Sequence, residues 1–350
     1  MRIGMPLSYS GGFKEAVAEL ADYERAGLDV VHVAEAYSYD AASQLGYIAA
    51  KTERLEIASG IFNIYSRTPS LIAMTAAGID YISEGRFTLG LGASGPQVIE
   101  GFHGVPYTAP LGRTREVIDI CREVWKREKP LEYDGKHYKL PLPADKGTGL
   151  GKPLKLINHP VRSDIPVEIA AIGPKNVELT AEIADGWQPI FFLPEKCDEV
   201  WGDSLRAGFA KRDPEIGKDF NINAQAFLAI GDDVEGFLEF GRPMAALYIG
   251  GMGAKGKNFY NDLCRRYGWE KEADEIQELY LAGKKKEAAE KVPFELIKNM
   301  SLIGPESWVK ERLLAMKAAG VTTINVNPIA ADHQAKLKLV EQIKTLAADV

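Results

Sequence analysis

The sequence predicts a closed (β/α)8 barrel, and three observations carry that reading. Short runs rich in valine, isoleucine and leucine alternate with helical patterns in a regular beat. Eight such strand–helix units fit into the 350 residues, whereas a doubly wound sheet typically runs out after about six or seven strands. The long interruptions fall after the fourth and seventh strands, which places them on the C-terminal face of a barrel.

The elements follow in order. RIGMPL (2–7) is the first strand, and FKEAVAELADYERAG (13–27) is its helix, with Gly27 where a helix stops. DVVHVAE (29–35) and DAASQLGYIAAKTE (40–53) make the second pair. LEIASGI (55–61) and PSLIAMTAAGIDYIS (69–83) make the third, opened by Pro69, whose missing N–H costs nothing at a helix start. RFTLGLG (86–92) and RTREVIDICREVWKRE (113–128) are the fourth pair. After a polar, proline-rich interruption (129–165) come PVEIAAIG (166–173) with helix 174–186, then WQPIFF (187–192) with helix 194–212. FNINAQAFLAIG (220–231) is strand seven, 232–318 reads as helical throughout, and VTTINVNP (321–328) with a closing helix at 332–350 ends the chain. One domain is expected over 1–350, with inserts at about 93–112, 129–165 and 244–303. Residues 137–165 read as a hairpin or ordered loop, with a mobile lid as the alternative.

Composition narrows the function classes. A hydrophobic content of 46% allows a large core, and a net charge of −7 argues against general affinity for nucleic acid or anionic membranes. No apolar run reaches the roughly 18 residues of a membrane span, and the N-terminus lacks a signal-peptide core. Cys121, Cys197 and Cys264 are far apart and form no CxxC, as expected of reduced thiols in a cytoplasmic protein. The five histidines show no HExxH or HxxxH spacing, so no metal site is expected.

Residues 90–95, GLGASG, match G-x-G-x-x-G, the phosphate-cradling turn of dinucleotide-binding folds. The context rejects that reading. The match follows the fourth strand rather than the first, seventeen residues separate it from the next strong helix, and no strand-terminal acid follows about twenty residues on. Gly90 and Gly92 instead sit in or at the end of a strand, where glycine permits close backbone approach.

With its flanks, SEGRFTLGLGASGP (83–96) resembles the luciferase-like oxidoreductases, (β/α)8 TIM barrels that bind FMN or the deazaflavin coenzyme F420. The resemblance extends through 58–92, through IAAIGPKNVELTAEIADGW (169–187) and through LYIGGMGAKGKNFYNDL (247–263), the last being similar to an F420-associated branch. It implies a non-proline cis peptide at Gly60–Ile61 in ASGIFN, a backstop against the cofactor ring; an ordinary strand end is the alternative. Asn63, just beyond, is a candidate for the ring's polar edge.

Glu35 ends strand two, where F420-binding relatives have an acid that contacts the cofactor. A carboxylate at a barrel mouth also reads as functional, with helix capping as the alternative. Sugar-phosphate-oxidising relatives have a histidine immediately after that acid; this chain has Ala36, which departs from their alcohol-oxidation pattern. Ser94 and Gly95 are candidates for ring or tail contacts. AAIGPKN (170–176), with Ala171, Gly173, Pro174 and Lys175, looks like a helix start suited to a phosphate. Arg67, Lys255 and Lys257 are candidate cations for the cofactor's acidic tail, or ordinary surface charges. His103 is the histidine to consider as proton donor, with Tyr9 and Tyr37 as outsiders, while His32 reads as packed within its strand.

The resemblance implies an F420-dependent oxidoreductase that moves a hydride between deazaflavin C5 and a small organic substrate carrying an activated C=C, C=N or C=O. The alternatives are an FMN-dependent monooxygenase fed with reduced flavin by a partner reductase, and a non-catalytic flavin-binding relative. A homodimer is expected by resemblance.

Overall fold

The computed structural model describes all residues except 9, 10 and 218. Eight parallel strands form the barrel: β1 (Arg2–Leu7), β2 (Val30–Val33), β3 (Glu56–Ser59), β4 (Phe87–Gly92), β5 (Val167–Ala170), β6 (Gly186–Gln188), β7 (Asn221–Ile230) and β8 (Thr323–Pro328). Each pairs with the next, and β8 returns to pair with β1, so the ring closes as expected. Around it run α1 (Phe13–Arg25), α2 (Ala41–Ala49), α3 (Pro69–Ile82), α4 (Pro110–Lys126), α5 (Pro174–Ile183), α6 (Asp203–Phe209), α7 (Glu306–Ala318) and α8 (His333–Ala348). Their starts follow local chemistry: Asp40, Thr68 and Asp332 accept the first free N–H groups of α2, α3 and α8.

Several stretches differ from the sequence reading: the strand expected at 187–192 is Gly186–Gln188, the helix expected at 194–212 is regular only over Asp203–Phe209, and Phe62–Asn63 adds a short strand beside Leu91–Gly92. The helical run 232–318 contains a short strand, Leu302–Gly304, paired with Leu228–Ile230 of β7. At ten residues β7 outruns its neighbours, and its last backbone groups take this partner instead. The hairpin in the 129–165 interruption also begins earlier than expected, with Tyr133–Asp134 against Lys139–Leu140. Its turn is held to α4 by buried Glu116, which accepts from the backbone N–H groups of Lys136, His137 and Tyr138 at 2.8–2.9 Å.

The strands alternate, with an unusual result. Ile3, Met5, Val31, Val33, Ile57, Leu89, Val167, Ile169, Ile324 and Val326 face the helices and form the apolar core with them. The opposite set faces the barrel axis and is mostly polar or small: His32, Gly90, Glu168, Gln188, Asn221, Asn223 and Asn325. The core is therefore a shell between barrel and helices, and the barrel interior is a polar plug.

The structure also accounts for GLGASG. Gly90 and Gly92 lie within β4, and Gly95 precedes the short helix Pro96–Gly101. A Cβ on Gly90 would overlap the Ser59 carbonyl oxygen, and one on Gly92 would sit 2.8 Å from the Ile61 side chain. Both glycines clear room for the chain that leaves β3. Gly90→Ala is expected to lower stability by roughly 2–3 kcal/mol or more, because the obstacle is backbone that cannot rotate away. Gly236→Ala, where a Cβ meets nothing within 4 Å, is the control. Equal melting temperatures for the two variants would refute this account of Gly90.

Candidate active site at the barrel mouth

Because all eight strands are parallel, the segments after β2 to β6 emerge on one face. They carry Glu35, Gly60, Ser94, Ala171 and Phe191. The mouth is open to a definite depth. Interior-facing Gln225 is exposed, and Gln188 and Gly60 are partly so, whereas His32, Glu168, Asn223 and Asn325 beneath them are buried.

That buried layer is the floor. Glu168 accepts from Gln188 Nε2 at 2.8 Å, from Asn223 Nδ2 at 3.4 Å and from Asn221 Nδ2. Asn325 donates to Asn223 Oδ1 (2.7 Å), and Asn223 Nδ2 donates to His32 Nε2 (2.7 Å). Burial raises the Glu168 carboxyl above its ordinary range, opposed by the three carboxamides. Burial, then the nearby Arg2 guanidinium, push His32 down to about 3, so it is a neutral imidazole at pH 7.

On the rim, the Gly60–Ile61 peptide is cis, at the bond the sequence resemblance indicated. Asn63 is buried, and its Oδ1 accepts from the N–H groups of Tyr65 (3.1 Å) and Ser66 (2.7 Å). Its side-chain oxygen thus serves the turn. Glu35 is not a free carboxylate: Arg67 grips both its oxygens at 2.5 and 2.6 Å, also pairs with Asp40, and lies 4.5 Å over the Phe62 ring. This locked pair leaves neither Glu35 free for proton transfer nor Arg67 free for an acidic tail. Lys255 pairs with Glu278 at 3.3 Å, Lys257 is exposed, and Tyr37 is exposed beside Phe102. Tyr9 lies outside the described residues.

Ser94 takes a positive φ of 57°, and its carbonyl accepts from the Tyr107 hydroxyl at 3.3 Å. Buried Ala171 gives its carbonyl to Trp187 Nε1 at 2.9 Å, which fixes the approach to α5. Gly173, in extended conformation, precedes Pro174 at the helix start, and its carbonyl accepts from Asn176 and Val177. Lys175 is exposed on that first turn.

Aromatic side chains of the 93–112 and 244–303 inserts pack with others from the segments after β3 and β6. Tyr65 and Tyr107 lie 5.2 Å apart, Tyr248 and Tyr260 4.8 Å apart, and Phe191 packs on the second pair. Burial raises the Tyr260 hydroxyl well above its usual value, and Tyr107 is close enough to add to it. His103 Nε2 is buried and has no hydrogen-bond partner. Among the described residues no three His, Cys, Asp or Glu side chains gather as a metal site.

Sequence reasoning missed the floor. Its signal was present as polar residues two apart in strand patterns, Asn221 and Asn223 in NINAQ, and as a lone Glu168 inside PVEIAAIG.

A family profile described as luciferase-like monooxygenase matches residues 1–323. Rv3520c of Mycobacterium tuberculosis, named provisionally as a coenzyme F420-dependent oxidoreductase, is 42% identical over 99% of this chain and 98% of its own. The 5,10-methylenetetrahydromethanopterin reductase of Archaeoglobus fulgidus is 28% identical over 91% of this chain and 90% of its own. Among solved structures, the coenzyme F420-dependent tetrahydromethanopterin reductase of Methanopyrus kandleri shares the fold, with a TM-score of 0.78 at 23% identity over 99% of both chains.

The floor makes a pH prediction. His32 binds its proton less readily folded (about 3) than unfolded (about 6.5). Its contribution is complete above pH 6.5 and is lost as the pH falls toward 3, by roughly 4–5 kcal/mol in all. Urea unfolding should show the loss beginning near pH 6, offset in part by Glu168, whose raised carboxyl acts in the opposite direction, and His32→Asn should flatten that first part of the slope. An unchanged slope in the variant would refute the assignment.

Proposed function

Because the chain belongs to the luciferase-like monooxygenase family, we propose that it is a coenzyme F420-dependent oxidoreductase acting on a small organic substrate. The observation that carries the reading is the end-to-end similarity to the mycobacterial relative of that name. The start of α5 fits the cofactor's phosphate. The Gly173 carbonyl is taken by Asn176 and Val177, the Lys175 N–H lies one step nearer the helix end, and the flank of Gly173 is open as far as the Phe259 ring, 4.0 Å from where a Cβ would sit. Bound and reduced, F420 supplies a hydride from ring carbon C5 to an electron-poor C=C, C=N or C=O group.

The chain's part is to hold and to exclude. In this reading Gly173, Pro174 and Lys175, fixed through Ala171, hold the phosphate. Gly60 and Ile61 back the ring, and Ser94 and Gly95 flank it. The Glu35–Arg67 pair is a rigid polar wall, with Asn63 beneath it shaping the turn. Tyr65, Tyr107 and Tyr260 keep water out. His103, with its unpartnered Nε2, delivers or takes the proton.

Parallel fluorescence titrations with F420 and FMN test the cofactor. Micromolar saturation by F420 and none by FMN is expected, and tight binding of FMN alone would overturn the reading. His103→Asn should leave that titration unchanged while lowering turnover about 100-fold or more; wild-type turnover would remove His103 from the mechanism.

The reading includes a homodimer. On α3 the apolar residues Leu71, Met74, Tyr81 and Ile82 are exposed along one stripe, which a second copy would cover. Sedimentation should give twice the chain mass of 38.4 kDa, falling to the single mass in Met74→Glu. A monomeric wild type would refute it.

A further inference from the structure

The polar floor has a direction. Thr323 Oγ1 donates to Asn221 Oδ1 at 2.9 Å, which turns the Asn221 amide N–H toward Glu168. Asn325 donates to Asn223 Oδ1, which turns the Asn223 amide N–H toward Glu168 and His32. Carboxamide N–H groups therefore converge on one buried carboxylate that, ionised, can only accept.

Gln188 belongs to this set but differs in place. It is the Glu168 partner that is partly open to the mouth from the strand end of β6, with Gly60 beside it. Its Nε2 lies 2.8 Å from Glu168 Oε2 and 3.5 Å from the Ser59 carbonyl, so both amide hydrogens face acceptors below and beside it. That leaves Oε1 on the side of Gly60, 3.8 Å from where a Cβ on that residue would sit. The two ends of a carboxamide have nearly the same shape, so hydrogen-bond partners alone decide which end faces the mouth.

We propose that Gln188 offers its carbonyl oxygen to a donor on the molecule bound in the mouth, and that Glu168 is the positioning residue that keeps it turned that way. The chemistry recognised is an N–H or O–H donor, such as the ring N–H that deazaflavins and flavins both carry. The inference rests on the reading of the mouth as the cofactor site, and it names a contact for that site. Glu168→Gln places an amide against Asn221, Asn223 and Gln188 amides. The Gln188 side chain then gains as much by turning over, and the end presented to the ligand is no longer specified.

The test is a set of binding titrations, followed by cofactor fluorescence, with thermal melting in parallel. Wild type is titrated with F420 and with FMN, and whichever saturates becomes the probe. Should that be FMN, the F420 reading falls while Gln188 is still decided. Gln188→Leu also takes one of the three carboxamide donors from buried Glu168, so it should lower the melting temperature while staying folded at the assay temperature, and it should weaken binding about tenfold. Glu168→Gln should weaken it similarly. The exchange Glu168→Gln with Gln188→Glu should restore affinity, because residue 188 again faces the mouth with an acceptor. Wild-type affinity in Gln188→Leu would overturn the contact. Loss in Gln188→Leu with wild-type affinity in a merely less stable Glu168→Gln would overturn the positioning role, as would an exchange that restores melting without restoring binding.

Discussion

Beside β4, the backbone of residues 59–61 passes so close that a methyl group at residue 90 would overlap the Ser59 carbonyl. One at residue 92 would crowd the Ile61 side chain. Ser59 adds two bonds to that approach, its hydroxyl donating to the Gly90 carbonyl and accepting from the Gly90 N–H at 2.9 and 2.8 Å. Packing of strand exit against strand sets where Gly60 and Ile61 stand in the mouth. The Gln188 side chain lies beside Gly60, and the chain runs on from there toward Asn63. The price is an intolerance of any side chain on two consecutive inward positions of β4.

The polar interior follows from the same economy of space. A barrel usually fills its axis with branched apolar side chains. Here the apolar residues go to the shell beneath the helices, and the axis is filled by a carboxylate, carboxamides and an imidazole joined by hydrogen bonds, with His32 Nδ1 and Asn325 Oδ1 left without a partner. Such a layer is tolerable only when nearly every group has a partner, since an unpaired buried charge is expensive. Arg2 adds a cation near both Glu168 and His32, and this lowers His32 as well as helping Glu168. The gain is a floor whose hydrogen-bond directions are specified, which an aliphatic plug cannot provide.

Above this floor the mouth is divided between rigid and borrowed parts. Strand ends and the start of α5 supply fixed backbone positions, set by the closed ring. The aromatic walls come partly from inserts and partly from the segments after β3 and β6, tied together by bonds such as Tyr65 to the Thr108 carbonyl and Tyr267 to the Phe191 carbonyl. A division of that kind lets one barrel keep its strand-end positions while its walls vary.

Much of the architecture was legible along the chain, because the period of apolar residues is a local property: eight strand–helix units, Pro69 and Pro174 at helix starts, and Gly90 and Gly92 as strand glycines needed for close approach. The family was legible too, in motifs that need no third dimension. What tertiary structure alone decided concerns partners. Glu35 and Arg67 are 32 residues apart, and only folding shows that each occupies the other. Asn63 looked free in sequence, yet its oxygen closes its own turn. Glu168 and Gln188 stand in unremarkable strand runs on neighbouring strands, and joining them to Ser59 and Asn221 needs a ring that brings β3, β5, β6 and β7 around one axis. Sequence periodicity says which way a side chain faces; which group it meets there depends on registers and closure that no single strand contains.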